Sequence, residues 1–164
     1  MNAMKFTIKK EALLYDIENM AYVIADTGST DHGLHRVTDI CQKWNIDRVS
    51  RVLGLAYSKV NSVLSPILCI RVPQRDCDRS ARVHDYIFEF RREGDYVISG
   101  STLLKLKETI HEYMVCFTLT DWLEVTMAGA GDVWRERASL AISALTACVS
   151  SLTSRTLSRK ISPI

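Results

Sequence analysis

The sequence is poor in residues that interrupt or cross-link a chain. Seven glycines and three prolines in 164 residues exclude collagen-like and low-complexity proteins. The five cysteines are scattered without a C-x-x-C pair, which excludes a disulfide scaffold and indicates reduced thiols in a cytoplasmic protein. No apolar run is long enough to predict a membrane span. The formal net charge of +2 is too small to indicate a nucleic-acid or membrane-surface partner by itself.

The sequence also lacks the motifs of common catalytic and cofactor sites. G-x-S-x-G and Walker loops are absent, and the Gly-Ala-Gly of residues 129–131 follows a predicted helix, where a dinucleotide turn would follow a strand. His32 and His35 are spaced to share a metal ion, but a third strong ligand is missing. We therefore expect a non-enzymatic protein with no cofactor and no metal.

Helical periodicity dominates the first 66 residues. Apolar residues spaced three and four apart predict a first helix from Ile8 to about Asp26. A short second helix begins near residue 31, and its inward face extends to Trp44. A third apolar stripe covers residues 47–64 and ends before Pro66.

The periodicity changes to that of strands between residues 67 and 99. Residues 67–72 predict a short strand, and residues 73–84 predict an exposed charged loop. Residues 85–99 alternate around Gly94 and predict a β-hairpin, whose return strand is residues 96–99. Alternation places three aromatic side chains on one face of the first strand: Tyr86, Phe88 and Phe90.

The last third of the chain predicts two long helices. Ser99 or Ser101 can cap the fourth helix, and the glycine-containing residues 128–131 end it. The short connection makes residues 100–157 an antiparallel helix pair, followed by a basic tail, residues 158–164. The predicted fold is a mainly α single domain, residues 1–164, with about five helices and a β-hairpin inserted between helices three and four.

Residues 47–64 have a second interpretation as a helix-turn-helix that reads DNA. The same apolar positions fit two short helices or one continuous helix, so the sequence leaves both open. In the DNA-binding alternative, five side chains face the nucleic acid: Arg51, Ser58, Lys59, Asn61 and Ser62. The chain would then act as a DNA-binding regulator.

Several short segments, taken in order, carry a family resemblance. They are N-I-D-R-V-S-R-V-L from Asn45, H-E-Y from His111, D-W-L from Asp121, Trp134, and residues 155–163. In this order the chain resembles small prophage-encoded proteins that are similar to the head–tail connector (neck adaptor) proteins of tailed phages. The resemblance covers most of the chain.

The resemblance implies a structural role in assembly. Connector proteins form rings between portal and tail, which implies a homo-oligomer or contacts with other phage structural proteins, in the cytoplasm and then in the virion. We expect contacts through the aromatic face Tyr86, Phe88 and Phe90, unless these side chains cover helices of their own chain. The basic residues Arg155, Arg159 and Lys160 are further contact candidates, because no acidic residue follows Arg137.

Overall fold

The computed structural model describes residues 4–27, 37–68, 85–90, 98–127 and 129–161, with side chains up to residue 154. The elements in chain order are β1 (Met4–Ile8), α1 (Lys10–Thr27), a 3-10 helix (Asp39–Cys41), α2 (Ile46–Leu64), β2 (Tyr86–Phe90), α3 (Gly100–Thr126) and α4 (Gly131–Ile161). The mainly helical fold with a two-stranded antiparallel sheet is confirmed. The described residues form four α-helices, so the predicted count of about five is wrong.

Helix α3 lies at the centre of the fold. Helices α1, α2 and α4 and strand β1 all pack against it. Its buried side chains surround most of the helix, as expected for an element covered on several sides. They include Ile110, Tyr113, Leu119 and Trp122. The core is one cluster to which every α-helix contributes.

The connection between α3 and α4 depends on glycine. Ser99 caps α3 as predicted, because its hydroxyl accepts a hydrogen bond from the Thr102 N–H at 3.1 Å. Gly129 has a φ of 86°, a conformation that L side chains rarely adopt. At Gly131 an added Cβ would lie 3.3 Å from the Thr120 carbonyl oxygen. The helices therefore pack closely along each other.

The sheet is formed by β1 and β2, whereas the sequence predicted that β2 would pair with residues 96–99. Strand β1 pairs antiparallel with β2, with Met4 opposite Phe90 and Ile8 opposite Tyr86. The predicted strand that begins near residue 85 is confirmed as β2, but the hairpin of residues 85–99 is wrong, because β2 pairs with β1. Of the predicted return strand, residues 98 and 99 lead into α3 without strand structure, and residues 96 and 97 lie outside the described residues. Leu68 makes one isolated bridge to Phe90.

Two predictions for the first half of the chain need correction. Ile8 belongs to β1, and the first helix begins two residues later at Lys10. Trp44 does not face inward, since 83% of its surface is exposed. Within the predicted second helix, Val37 and Ile40 are buried as expected, and the Val37 carbonyl accepts a hydrogen bond from the Trp122 indole at 3.0 Å.

Helix α2 is continuous from Ile46 to Leu64, so a turn between two short helices inside residues 47–64 is wrong. The apolar stripe fits a single helix because its side chains bury one uninterrupted face. Six apolar residues of this stripe are buried: Val49, Val52, Leu53, Ala56, Val60 and Leu64. No helix among the described residues is sufficiently long and apolar to cross a membrane.

Candidate functional site

The aromatic face of β2 belongs to the protein core. Tyr86, Phe88 and Phe90 are each at most 1% exposed. Phe6 of β1 contacts Phe88 and Phe90 at ring-centroid distances of 5.1 and 5.5 Å. Tyr57 of α2 covers Tyr86 and Phe88, and its hydroxyl donates a hydrogen bond to the Ile87 carbonyl at 3.0 Å. These aromatic residues pack on their own chain, which corrects the prediction that they form a contact surface.

The basic contact candidates lie at the end of α4. The helix continues through Arg155, Arg159 and Lys160 to Ile161, so these residues occupy its last two turns. Their side chains lie outside the described residues, as do His32, His35 and the charged loop of residues 73–84. The basic contact remains a prediction.

The candidate DNA contacts share one exposed side of α2. Arg51, Ser58, Lys59 and Ser62 are exposed, and Asn61 is half-buried. The neighbouring Arg48 instead binds Asp121 of α3, with 2.9 Å between its guanidinium and the carboxylate. Among these α2 residues two exposed cations remain, which is a small electrostatic footprint for DNA. DNA binding stays a prediction.

A surface that the sequence prediction missed lies along α4. Ala138, Ala141, Leu145 and Val149 form a stripe on one side of α4 that is buried against the rest of the protein. The opposite side, which we call the outer face of α4, is solvent-exposed and consists of Leu140, Ser143, Ala144, Ala147, Ser150 and Ser151. No charged residue occurs between Arg137 and Arg155, which corresponds to about 25 Å of helix. Exposed helical faces normally carry charges.

Three hydroxyl groups along α4 donate hydrogen bonds to carbonyls of their own helix. Ser143 donates to the Ser139 carbonyl at 2.8 Å, and Thr146 donates to the Ile142 carbonyl at 2.9 Å. Ser150 donates to the Thr146 carbonyl at 3.0 Å. Because these hydroxyls already donate within the helix, a partner that covered them would leave none of these three donors buried without an acceptor. The face is therefore less polar than its sequence indicates.

Comparison with protein-family models, curated proteins and solved structures finds no significant match. The connector resemblance therefore stays a prediction.

Two contacts of titratable side chains connect different helices of the fold. His111 of α3 lies 2.6 Å from Asp16 of α1, measured from Nε2 to Oδ2. The Lys10 ammonium donates to the Ser50 hydroxyl at 2.9 Å, and burial lowers the pKa of Lys10. The contact with Asp16 therefore places His111 between helices α1 and α3.

The cysteine thiols at Cys41 and Cys116 are shielded from water. Burial, with a smaller contribution from Glu18, raises the pKa of Cys41 to about 11. Burial likewise raises the pKa of Cys116 to about 11, assisted by Glu112. Both thiols are therefore protonated at neutral pH, which disfavours nucleophilic chemistry. Among the described side chains, no group of three or more potential metal ligands comes together.

The signal for the outer face of α4 was present in the sequence. The absence of charged residues between Arg137 and Arg155 is visible there. The sequence does not show which side of this helix stays exposed, or that its hydroxyls bond to the helix itself.

Proposed function

We propose that this protein is a non-enzymatic assembly protein that associates with copies of itself through the outer face of α4. The observation that carries the proposal is an exposed helical face without charge, on which the hydroxyls of Ser143 and Ser150 already donate to carbonyls of their own helix. The connector resemblance supports the same class of function, a structural protein of a tailed-phage particle.

The composition of the outer face favours close packing between helices. Ala144 and Ala147 have small side chains that allow a second helix to approach, and the exposed Leu140 supplies an apolar side chain for contact. Burying that leucine would stabilise a complex by about 1.5 to 3 kcal/mol before the costs of association.

A second copy of the chain is the partner that we infer for this face. When two copies meet across a two-fold axis, the same surface contacts itself. A face with charges of one sign would repel its copy, whereas the uncharged face between Arg137 and Arg155 creates no such repulsion. The small residues also lack long side chains that would have to be ordered on contact.

The test is light scattering coupled to size-exclusion chromatography over a concentration series. The parent chain is expected to form oligomers that dissociate on dilution. Ala144→Glu introduces one charge at an exposed helical position, so it should shift the chain towards monomer without loss of fold. The matched control is Ser62→Glu, which introduces the same charge at another exposed helical position, on α2. Circular dichroism and thermal melting check that both variants are folded.

Two results would overturn the proposal. One is a parent chain that stays monomeric over the whole concentration range. The other is an Ala144→Glu variant that assembles like the parent and like Ser62→Glu.

The DNA-binding alternative is tested in the same apparatus by adding a mixed-sequence duplex. Its support is the exposure of Arg51 and Lys59 on α2. If the alternative holds, the duplex shifts the elution, and Lys59→Ala lowers both the affinity and its salt dependence. An elution that ignores DNA removes this function and leaves the assembly function in place.

A further inference from the structure

We propose that an exposed acidic and aromatic surface on α1 binds the basic end of α4 from another copy of this chain. This surface, called the α1 surface below, consists of Tyr15, Glu18, Tyr22, Val23 and Asp26. The proposal rests on the self-association proposed above and adds a second contact to it.

The apolar part of the α1 surface is unusually exposed for its residue types. Tyr15 and Tyr22 are 66% and 65% exposed, and Val23 is 56% exposed. Residues three, four, seven and eight apart share one side of a helix, so the two tyrosines lie on the side opposite the buried Leu13 and Ile17. Exposed tyrosines combine contact area with little side-chain entropy, which is why they are enriched at binding surfaces.

The charged residues of the α1 surface are both acidic. Glu18 and Asp26 are exposed beside the tyrosines, and Glu11 extends the acidic side towards the start of the helix. The only basic residue in α1 is Lys10 at its first position, and its ammonium donates to Ser50 of α2. No cation on this helix neutralises Glu18 and Asp26 from the same side.

The segment that complements this surface is residues 155–160 of the same sequence. It contains Arg155, Arg159 and Lys160 and no acidic residue. Arginine pairs with carboxylates through its planar guanidinium and also stacks on tyrosine rings, so one residue type matches both parts of the α1 surface. Arg155 and Arg159 are one helical turn apart in α4, which is the spacing of Glu18 and Tyr22 in α1.

Such a contact joins two different surfaces, so it repeats from one copy to the next. The α1 surface of one copy holds the end of α4 of a second copy, whose own α1 surface is free for a third. Together with the outer face of α4, this contact would extend pairs of chains into a closed ring or a longer assembly. The assembly should weaken with added salt, because its charges lie at the surface.

The test is a charge exchange between two full-length variants. Variant one carries Glu18→Lys and Asp26→Lys, and variant two carries Arg155→Glu and Arg159→Glu. Each alone places like charges opposite each other, so its assembly midpoint in sedimentation velocity should shift about tenfold to higher concentration. An equimolar mixture restores opposite charges between copies and should recover mixed assemblies. The control, Glu108→Lys, changes an exposed acid on α3 and should assemble like the parent.

The outcomes separate this contact from the outer face of α4. If Ala144→Glu disrupts assembly but both charge variants assemble like the parent, the α1 contact is overturned and self-association stands. If the mixture does not recover assemblies, the contact between copies is overturned. If variant one is defective and variant two is not, the α1 surface contacts a part of the chain other than the end of α4, which also overturns the proposal. A parent chain that never assembles overturns both proposals.

Discussion

The Asp85 carboxylate caps α1 from 75 residues away, accepting a hydrogen bond from the Lys10 backbone N–H at 3.2 Å. The first N–H groups of a helix have no partner within the helix, and here a residue just before β2 supplies one. The contact fixes the start of α1 beside the sheet that β1 and β2 form.

Removing this cap should destabilise the protein modestly. Asp85→Ala is expected to lower the free energy of unfolding by about 1 kcal/mol, because the Lys10 N–H loses its side-chain acceptor. Asp85→Asn keeps an oxygen acceptor and should lose less. Urea denaturation of both variants measures the difference, and equal losses would contradict the capping role.

The two faces of β2 should respond differently to truncation. Phe88→Ala removes a ring that is 1% exposed and should cost about 3 to 5 kcal/mol. Ile87→Ala, on the neighbouring residue, truncates a side chain that is 51% exposed and should cost less than about 1 kcal/mol. Chemical denaturation checks both, and similar losses would contradict the assignment of the aromatic face to the core.

Substitution of alanine for glycine should change the stability of the protein in opposite directions at two positions. Gly129→Ala forces a side chain onto a φ of 86° and should destabilise the protein by about 1 kcal/mol or more. Gly54 lies inside α2, and an added Cβ there meets no atom within 4 Å. Gly54→Ala should therefore stabilise the protein by about 0.5 to 1 kcal/mol, because alanine favours the helix. Thermal melting should show a lower melting temperature for Gly129→Ala than for the parent and a higher one for Gly54→Ala.

The thiols of Cys41 and Cys116 should resist alkylation in the folded protein. Their pKa values are raised to about 11, so at pH 8 the fraction of reactive thiolate is small. The folded state favours the neutral thiols, and this stabilisation is lost as the pH rises through 11. Iodoacetamide labelling followed by peptide mass spectrometry should show slow modification at pH 8 and fast modification in urea. Fast labelling of both in the folded protein would contradict their burial.

The sequence by itself determined the elements whose signals are local. The apolar stripes of α2 and α4, the Ser99 cap and the glycine connection at residues 129–131 follow from spacing and backbone preference within a few residues. Alternation in β2 likewise showed which side chains share a face. It could not show what covers that face.

Only the tertiary structure decided the partners of these elements. The pairing of β2 with β1 and the capping of α1 by Asp85 join residues far apart in the chain, and no local pattern encodes such pairs. The exposure of Trp44 and Tyr15 was decided in the same way. Periodicity shows which apolar side chains share one face of a helix or strand. Whether that face is buried depends on which distant elements pack against it.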